Sequence, residues 1–312
     1  MNKNSMNEPI LGIHHVTAIA GDPQANLDFY AGVLGLRLVK VTVNFDDPGT
    51  YHFYYGDASG NPGSILSFFP YAGGERGRIG AGQVAAVSLG VPAGSFGFWN
   101  ERLSGAGVRS ALEDGPALSF ADPDGLALRL VEANLSIADA WQGSPVPAER
   151  AITRIAGIEI LEQSAVGTIA LLENEMGYVR EPGGQRHVLD DSFVEVQTDS
   201  TARMGRVAVG SIHHVAFRVA DDPAQIKWHG HLADRGFHVS PVMDRDYFHS
   251  IYFREPGGVL FELATDPPGF TVDEPFESLG TRLQLPGWLE HQRSHIEEAL
   301  PKISVLGEAI AR

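Results

Sequence analysis

Two histidine pairs and one glutamate carry the chemical signal of this chain. His14-His15 lies in the run Ile13-His14-His15-Val16-Thr17, and His213-His214 lies in Ser211-Ile212-His213-His214-Val215-Ala216-Phe217. Glu262 ends the run Gly257-Gly258-Val259-Leu260-Phe261-Glu262. In an extended strand, successive side chains point to opposite faces of a sheet. His213, Val215, Phe217 and Val219 then share a mostly apolar face, and His214, Ala216 and Arg218 share the other. Val259, Phe261 and Leu263 make a second apolar face, with Glu262 opposite them. His214 and Glu262 therefore look out of the non-core side of one sheet, and His15 joins them if the N-terminal copy packs alike. Two imidazoles and a carboxylate with open positions form the facial ligand set suited to non-heme Fe(II), and Mn(II) accepts it as well. By the same alternation His14 and His213 are expected on the face away from the ligands. Thr17, two residues after His15, shares the ligand face.

A hairpin precedes Glu262, in the run from Asp244 to Arg254. Alternation puts Ser250 and Tyr252 on one face. A tyrosine beside an open metal position can donate a hydrogen bond to a bound molecule. Arg245 there could stabilise an oxyanion; the plainer expectation is a surface pairing with Asp244 or Asp246.

The elements around these residues repeat. Ile10 to Ala20 alternates as a strand. Asp22-Pro23 opens a helix running to Leu34, with Asp22 as N-cap, Pro23 at the first helical position and Gly35 as the stop. Arg37–Val43, Tyr51–Tyr55 and Ser64–Pro70 follow as strands. A second copy has a strand at Val84–Val91, a helix at Ser95–Ala106, and strands at Ala117–Phe120 and Leu126–Glu132. A third, more degenerate copy covers Ile155–Gln197. The fourth covers Ile212–Ala264, with a helix at Asp222–Asp234. Four βαβββ modules make an α+β chain. Its expected divisions are 8–141 for the first pair of modules, 151–266 for the second, and a tail, 267–312, with an amphipathic helix at Trp288–Leu300.

The repeats also serve as a control. Counting six residues from the turn proline gives Glu262 in the fourth copy, Phe68 in the first and Arg129 in the second. At the histidine-pair position the second copy has Ala85-Ala86, and the third has Gly157-Ile158. Only the first and fourth copies bring ligands.

Composition narrows the classes. The chain has 312 residues, 43% of them apolar, enough for two sizeable cores. Its formal charge of −16 argues against nucleic acid or an anionic membrane surface as partner. It has no cysteine, so any metal must sit on histidine and carboxylate. No apolar run approaches the ~20 residues of a membrane span, and the polar start lacks a signal-peptide pattern. A cytoplasmic location is expected, and a homo-oligomer stays open.

The βαβββ modules with this histidine and glutamate placement resemble the vicinal oxygen chelate superfamily of glyoxalase I, bleomycin-binding proteins and extradiol dioxygenases. Longer motifs narrow the match. Asp46-Asp47-Pro48-Gly49-Thr50-Tyr51-His52-Phe53-Tyr54-Tyr55-Gly56-Asp57, Gly60-Asn61-Pro62-Gly63, Phe68-Phe69-Pro70 and Leu285-Pro286-Gly287-Trp288-Leu289-Glu290 resemble the dioxygenases that open hydroquinone rings. The resemblance implies two vicinal-oxygen-chelate domains and Fe(II) on His15, His214 and Glu262. It also implies Arg245, Tyr252, His14, Thr17 and His213 around the metal, with a small aromatic diol and O₂ as substrates. A catechol-like ring stays open. A glyoxalase-type isomerase would need a second carboxylate where Phe68 stands. A thiol transferase of the fosfomycin-resistance kind fits three ligands but belongs to much shorter chains. A metal-free binding protein would leave the three ligand residues without a purpose.

Overall fold

The computed structural model describes residues 8–306 apart from Asp114, and the backbone of 308–309. The polar residues 1–7 and the end of the tail lie outside the described residues.

The first module is β1 (Ile13–Ala20), α1 (Pro23–Leu27), β2 (Arg37–Asn44), β3 (Asp47–Gly56) and β4 (Ile65–Pro70). Asp22 accepts a hydrogen bond from the Ala25 amide at 2.8 Å, so it caps α1 as expected. The helix does not stay regular to Leu34; residues Asp28–Val33 form a π turn. Gly35 then takes a φ of +71°, which ends the segment. The second module is β5 (Gln83–Val91), α2 (Phe96–Gly105), β6 (Ser110–Leu112), β7 (Ala117–Ala121) and β8 (Ala127–Glu132). The third is β9 (Arg154–Glu162), α3 (Val166–Asn174), β10 (Val179–Arg180), β11 (Arg186–Leu189) and β12 (Ser192–Thr198). The fourth is β13 (Ser211–Val219), α4 (Asp222–Asp234), β14 (Met243–Asp244), β15 (Phe248–Arg254) and β16 (Leu260–Pro268).

The modules build two eight-stranded sheets. The first runs β14-β15-β16-β13-β1-β4-β3-β2, and the second runs β10-β11-β12-β9-β5-β8-β7-β6. Each sheet thus takes one module from each half of the chain: the first module joins the fourth, and the second joins the third. The expected segments 8–141 and 151–266 do not each close a sheet of their own. The seams are the antiparallel pairs β1 with β13 and β5 with β9. Every module offers a similar first strand, so strand patterning alone does not choose among partners. The shared ligand set of the first and fourth copies was the clue that those two meet.

Alternation sets the core as expected. Val16, Val215, Phe217, Phe261 and Leu263 are buried on one face of the first sheet. The other face carries the histidines and a second apolar cluster that includes Tyr54, Tyr247 and Phe248. The tail closes over that cluster. Phe270 and Leu279 belong to it, and Phe270 lies 5.0 Å from the Tyr247 ring. Lys40 anchors the cover. It is fully buried, and its Nζ lies 2.5 Å from Asp273 Oδ1 and 2.5 Å from Glu274 Oε2. The tail helix is α5 (Arg293–Ala299), shorter than Trp288–Leu300 because Glu290–Gln292 forms a 3-10 turn. Leu289, Ile296 and Leu300 are buried, as its apolar stripe implies.

Candidate metal centre

The first sheet brings His15 on β1, His214 on β13 and Glu262 on β16 onto adjacent strands. The parallel register sets Glu262 beside Ala216, and the antiparallel register sets His15 opposite Ala216. Nε2 of His15 lies 3.2 Å from Nε2 of His214. Glu262 Oε2 lies 2.9 Å from His214 Nε2 and 3.3 Å from His15 Nε2. All three residues are buried.

These atoms converge on one point. Glu262 Oε2 is enclosed and has no well-formed hydrogen bond, although two imidazole nitrogens stand close. Burial favours a neutral Glu262, yet the rings of His15 and His214 hold its pKa well below the usual carboxylate range. Burial lowers the pKa of His214, opposed by the carboxylate of Glu262 beside it. An ionised carboxylate and neutral imidazole are the forms that ligate a metal. Three donors on one face of an octahedron, with bonds of ~2.1 Å, stand about 3.0 Å apart. The observed separations match, so the three residues fit a divalent metal.

His14 and His213 correct the alternation argument. They do not face away from the ligands. His14 Nδ1 lies 2.9 Å from His15 Nδ1, and His213 Nδ1 lies 2.7 Å from His214 Nδ1. The register between β1 and β13 breaks at Ile13/His15 and at Thr17/Ala18. Each break is a β-bulge whose extra residue is His14 on one strand and His213 on the other. A bulge re-aims a side chain that strict alternation would send to the far face. Each of these two rings therefore has its Nδ1 engaged by the neighbouring imidazole, which orients the ring with Nε2 toward the other two residues of the cluster. Burial lowers the His14 pKa and brings that of His213 down to about 3.

The remaining expected residues also gather here. Thr17 lies opposite His214 in the register, and its Oγ1 is 2.7 Å from Ser67 Oγ. Tyr252 lies opposite Glu262. Arg245 pairs with neither Asp244 nor Asp246. Its Nε donates to Tyr252 Oη at 3.2 Å, and its Nη1 lies 3.8 Å from Asp46. Burial raises the Tyr252 pKa, so its hydroxyl stays protonated and free to donate.

Some contributors were missed. Ser250 donates to Glu262 Oε1, leaving Oε2 aimed at the imidazoles. Alternation had put Ser250 on the Tyr252 face, which was signal enough. Ser67 is the second. It pairs with Thr17 as Glu262 pairs with Ala216, so Ser67 and not Phe68 occupies the position equivalent to Glu262. The turn proline misled the count by one. Asp57 accepts from the amides of Ser59 and Asn61, whereas Glu255 accepts from Gly257 and Val259, and the first turn is longer. His52 is the third, discussed below.

A cavity of about 380 Å³ opens from the ligands, within the range of small-molecule sites. His52, Tyr54, Phe69, Phe248, Arg245 and Tyr252 supply much of its wall. The Phe248 ring packs 5.0 Å from both His14 and His15. Aromatic rings make up much of the lining, together with polar side chains such as Asn44, Asp46 and Arg245.

The family model for the Glyoxalase/Bleomycin resistance protein/Dioxygenase superfamily matches residues 12–130 and 153–263. This chain belongs to that superfamily. It is 44% identical over 309 residues to a Bacillus subtilis protein named "Putative ring-cleaving dioxygenase MhqO", covering 95% of this chain and 97% of the relative. It is 33% identical to the chlorohydroquinone/hydroquinone 1,2-dioxygenase of Sphingobium indicum, covering 91% of this chain and 94% of the relative. A crystal structure of a Bacillus subtilis chain named "putative dioxygenase" superposes with a TM-score of 0.91 at 44% identity, covering 96% of this chain and 99% of that one. Glyoxalase I of Zea mays shares the fold, with a TM-score of 0.60 at 13% identity, covering 82% of this chain and 92% of that one. Among the described residues, no helix is long and apolar enough to cross a membrane.

Proposed function

We propose that this chain is a cytoplasmic, Fe(II)-dependent dioxygenase that opens the ring of a hydroquinone-like dihydroxybenzene with O₂. The observation that carries this is the buried trio of His15, His214 and Glu262, converging at the end of an aromatic cavity. The names of the MhqO and Sphingobium indicum relatives support the reaction class. Fe(II) held by these three residues would supply the redox centre that brings the diol and O₂ together.

The protein's own residues do the rest. His14 and His213 lock the two ligand rings through their Nδ1 atoms. Ser250 orients the carboxylate. Tyr252 keeps its proton and can donate it to an oxygen bound beside Glu262. Arg245 adds a positive charge behind Tyr252, which favours developing negative charge on such an oxygen. Phe248 and the other aromatic walls exclude water from the ring. Both oxygen atoms end in the product, so no external reductant is required. An isomerase of the glyoxalase type fits poorly, because Ser67 stands where its second carboxylate would be.

The test is oxygen uptake by protein loaded anaerobically with Fe(II), offered hydroquinone, methylhydroquinone, chlorohydroquinone and catechol in parallel. Uptake with a para-diol and a ring-opened product are expected. No uptake with any diol, at one bound metal per chain, would refute the proposal.

A further inference from the structure

His52 is a polar ring in the aromatic wall that the chemistry above leaves without a task. It lies on β3, two strands from His15 in the order β1-β4-β3, or ~10 Å across the sheet. Its ring is fixed on both sides, 4.0 Å from the Tyr54 ring and 4.2 Å from the Phe69 ring. Its Nε2 lies 3.1 Å from Ser67 Oγ, which is 2.7 Å from Thr17 Oγ1. Its Nδ1 has no partner among the described residues, on a ring that lines the cavity. Burial holds its pKa well below the usual imidazole value, so the ring is neutral.

A fixed, neutral imidazole with one nitrogen satisfied and one open to a cavity is a hydrogen-bonding site. With Nε2 accepting from Ser67, Nδ1 carries the proton and donates; with Nε2 donating, Nδ1 accepts. A hydroxyl answers either case. Resting on the ring-opening function above, we propose that His52 binds the remote hydroxyl of a para-dihydroxybenzene whose first hydroxyl faces His15, His214 and Glu262. His52 thereby selects para-diols. An ortho-diol puts both oxygens at the metal end and leaves the Nδ1 of His52 unpaired against a ring. A monophenol does the same. A site built to bond a hydroxyl discriminates against analogues that lack it.

The test is anaerobic calorimetry of the Fe(II)-loaded full chain with hydroquinone, phenol and catechol. Wild type is expected to bind hydroquinone about tenfold more tightly than phenol, the size of one net hydrogen bond. His52→Phe keeps the ring stack but removes both nitrogens, and its hydroquinone-to-phenol ratio should fall to about one. His52→Gln keeps a donor and an acceptor and should retain part of the preference, as a purely structural role would not require. Equal binding of hydroquinone and phenol by wild type would overturn the proposal without any variant. So would an unchanged ratio in His52→Phe. A ratio lost in His52→Phe, with no oxygen uptake by wild type, would sink the ring-opening function and uphold the His52 contact. Uptake with the ratio unchanged in His52→Phe would do the reverse.

Discussion

Where the first sheet has His15, the second has Ala86, and where it has His214, the second has Gly157. The registers make these equivalences: Ala86 lies opposite Glu159 and Ser88 opposite Gly157, as His15 lies opposite Ala216 and Thr17 opposite His214. The position of Glu262 is still a carboxylate, Glu195, which pairs with Arg186 at 3.5 Å. The position of Ser67 is Arg129, bound to Glu113 and Glu159 at 2.9 Å each. Both sheets keep the same bulges. The backbone scaffold is thus indifferent to function, and a carboxylate without two imidazoles becomes an ordinary ion-pair partner. A second difference is the tail, whose Phe270 and Leu279 pack into the apolar cluster of the first sheet.

The largest effect should come from making the first sheet resemble the second. His15→Ala, His214→Ala or Glu262→Ala should each take diol-dependent oxygen uptake below detection, with bound iron falling from about one per chain to near zero by elemental analysis. Next is the cover. Lys40→Met removes the buried ammonium that pairs with both Asp273 and the buried Glu274. A loss of about 3–5 kcal/mol is expected, measured by denaturant unfolding. The bulge histidines come third. His14→Ala or His213→Ala removes the partner of a ligand ring and should weaken metal binding about 10–100-fold in a competition titration with a chelator. Unchanged affinity would mean that the bulges merely pack.

The second sheet cannot be converted by the opposite change. A side chain at Gly157 would collide with the Phe193 ring that covers it. Gly157→His should destabilise by about 1–3 kcal/mol, read by thermal melting, and bind no second metal.

The smallest effect is a pH dependence at the contact between the third and fourth modules. Glu162 and Glu255 are buried there, joined through the Thr168 hydroxyl. Burial, then the charge of Glu255, raises Glu162 from its ordinary 4.5 to about 7. The folded chain therefore holds a proton that the unfolded chain releases. The stability linked to it is present below pH 4.5 and lost as the pH rises to about 7. Glu162→Gln should flatten that part of the melting profile, while a profile identical to wild type would sink the idea. The contact between the first two modules uses a different pair, Tyr30 donating to Asp122 at 3.0 Å.

Much of this was legible in the sequence because periodicity and capping are local. The Asp222–Asp234 helix has its predicted bounds, and the alternation of Val215, Phe217, Phe261 and Leu263 puts the core where expected. The cluster of His15, His214 and Glu262 was legible because two repeats carried histidine pairs and two did not. What failed was non-local or sub-local. Which first strand meets which depends on tertiary packing, so the division at residues 142–150 did not follow the sheets. The bulges at His14 and His213 shift the phase by one residue, which no alternation count can register. The same phase error put the matched pair of the third module at Gly157-Ile158, where the register gives Ala156-Gly157. Turn length was the other trap, at Phe68 and Ser67.

The central claim is that one sheet holds a metal on His15, His214 and Glu262 and its twin holds none. Diffraction at the iron absorption edge from anaerobic crystals loaded with Fe(II) tests it most directly. One anomalous peak is expected among the three side chains, with no peak near Ala86, Gly157 and Glu195. A peak in the second sheet, or none beside Glu262 in crystals that contain iron, would contradict the account.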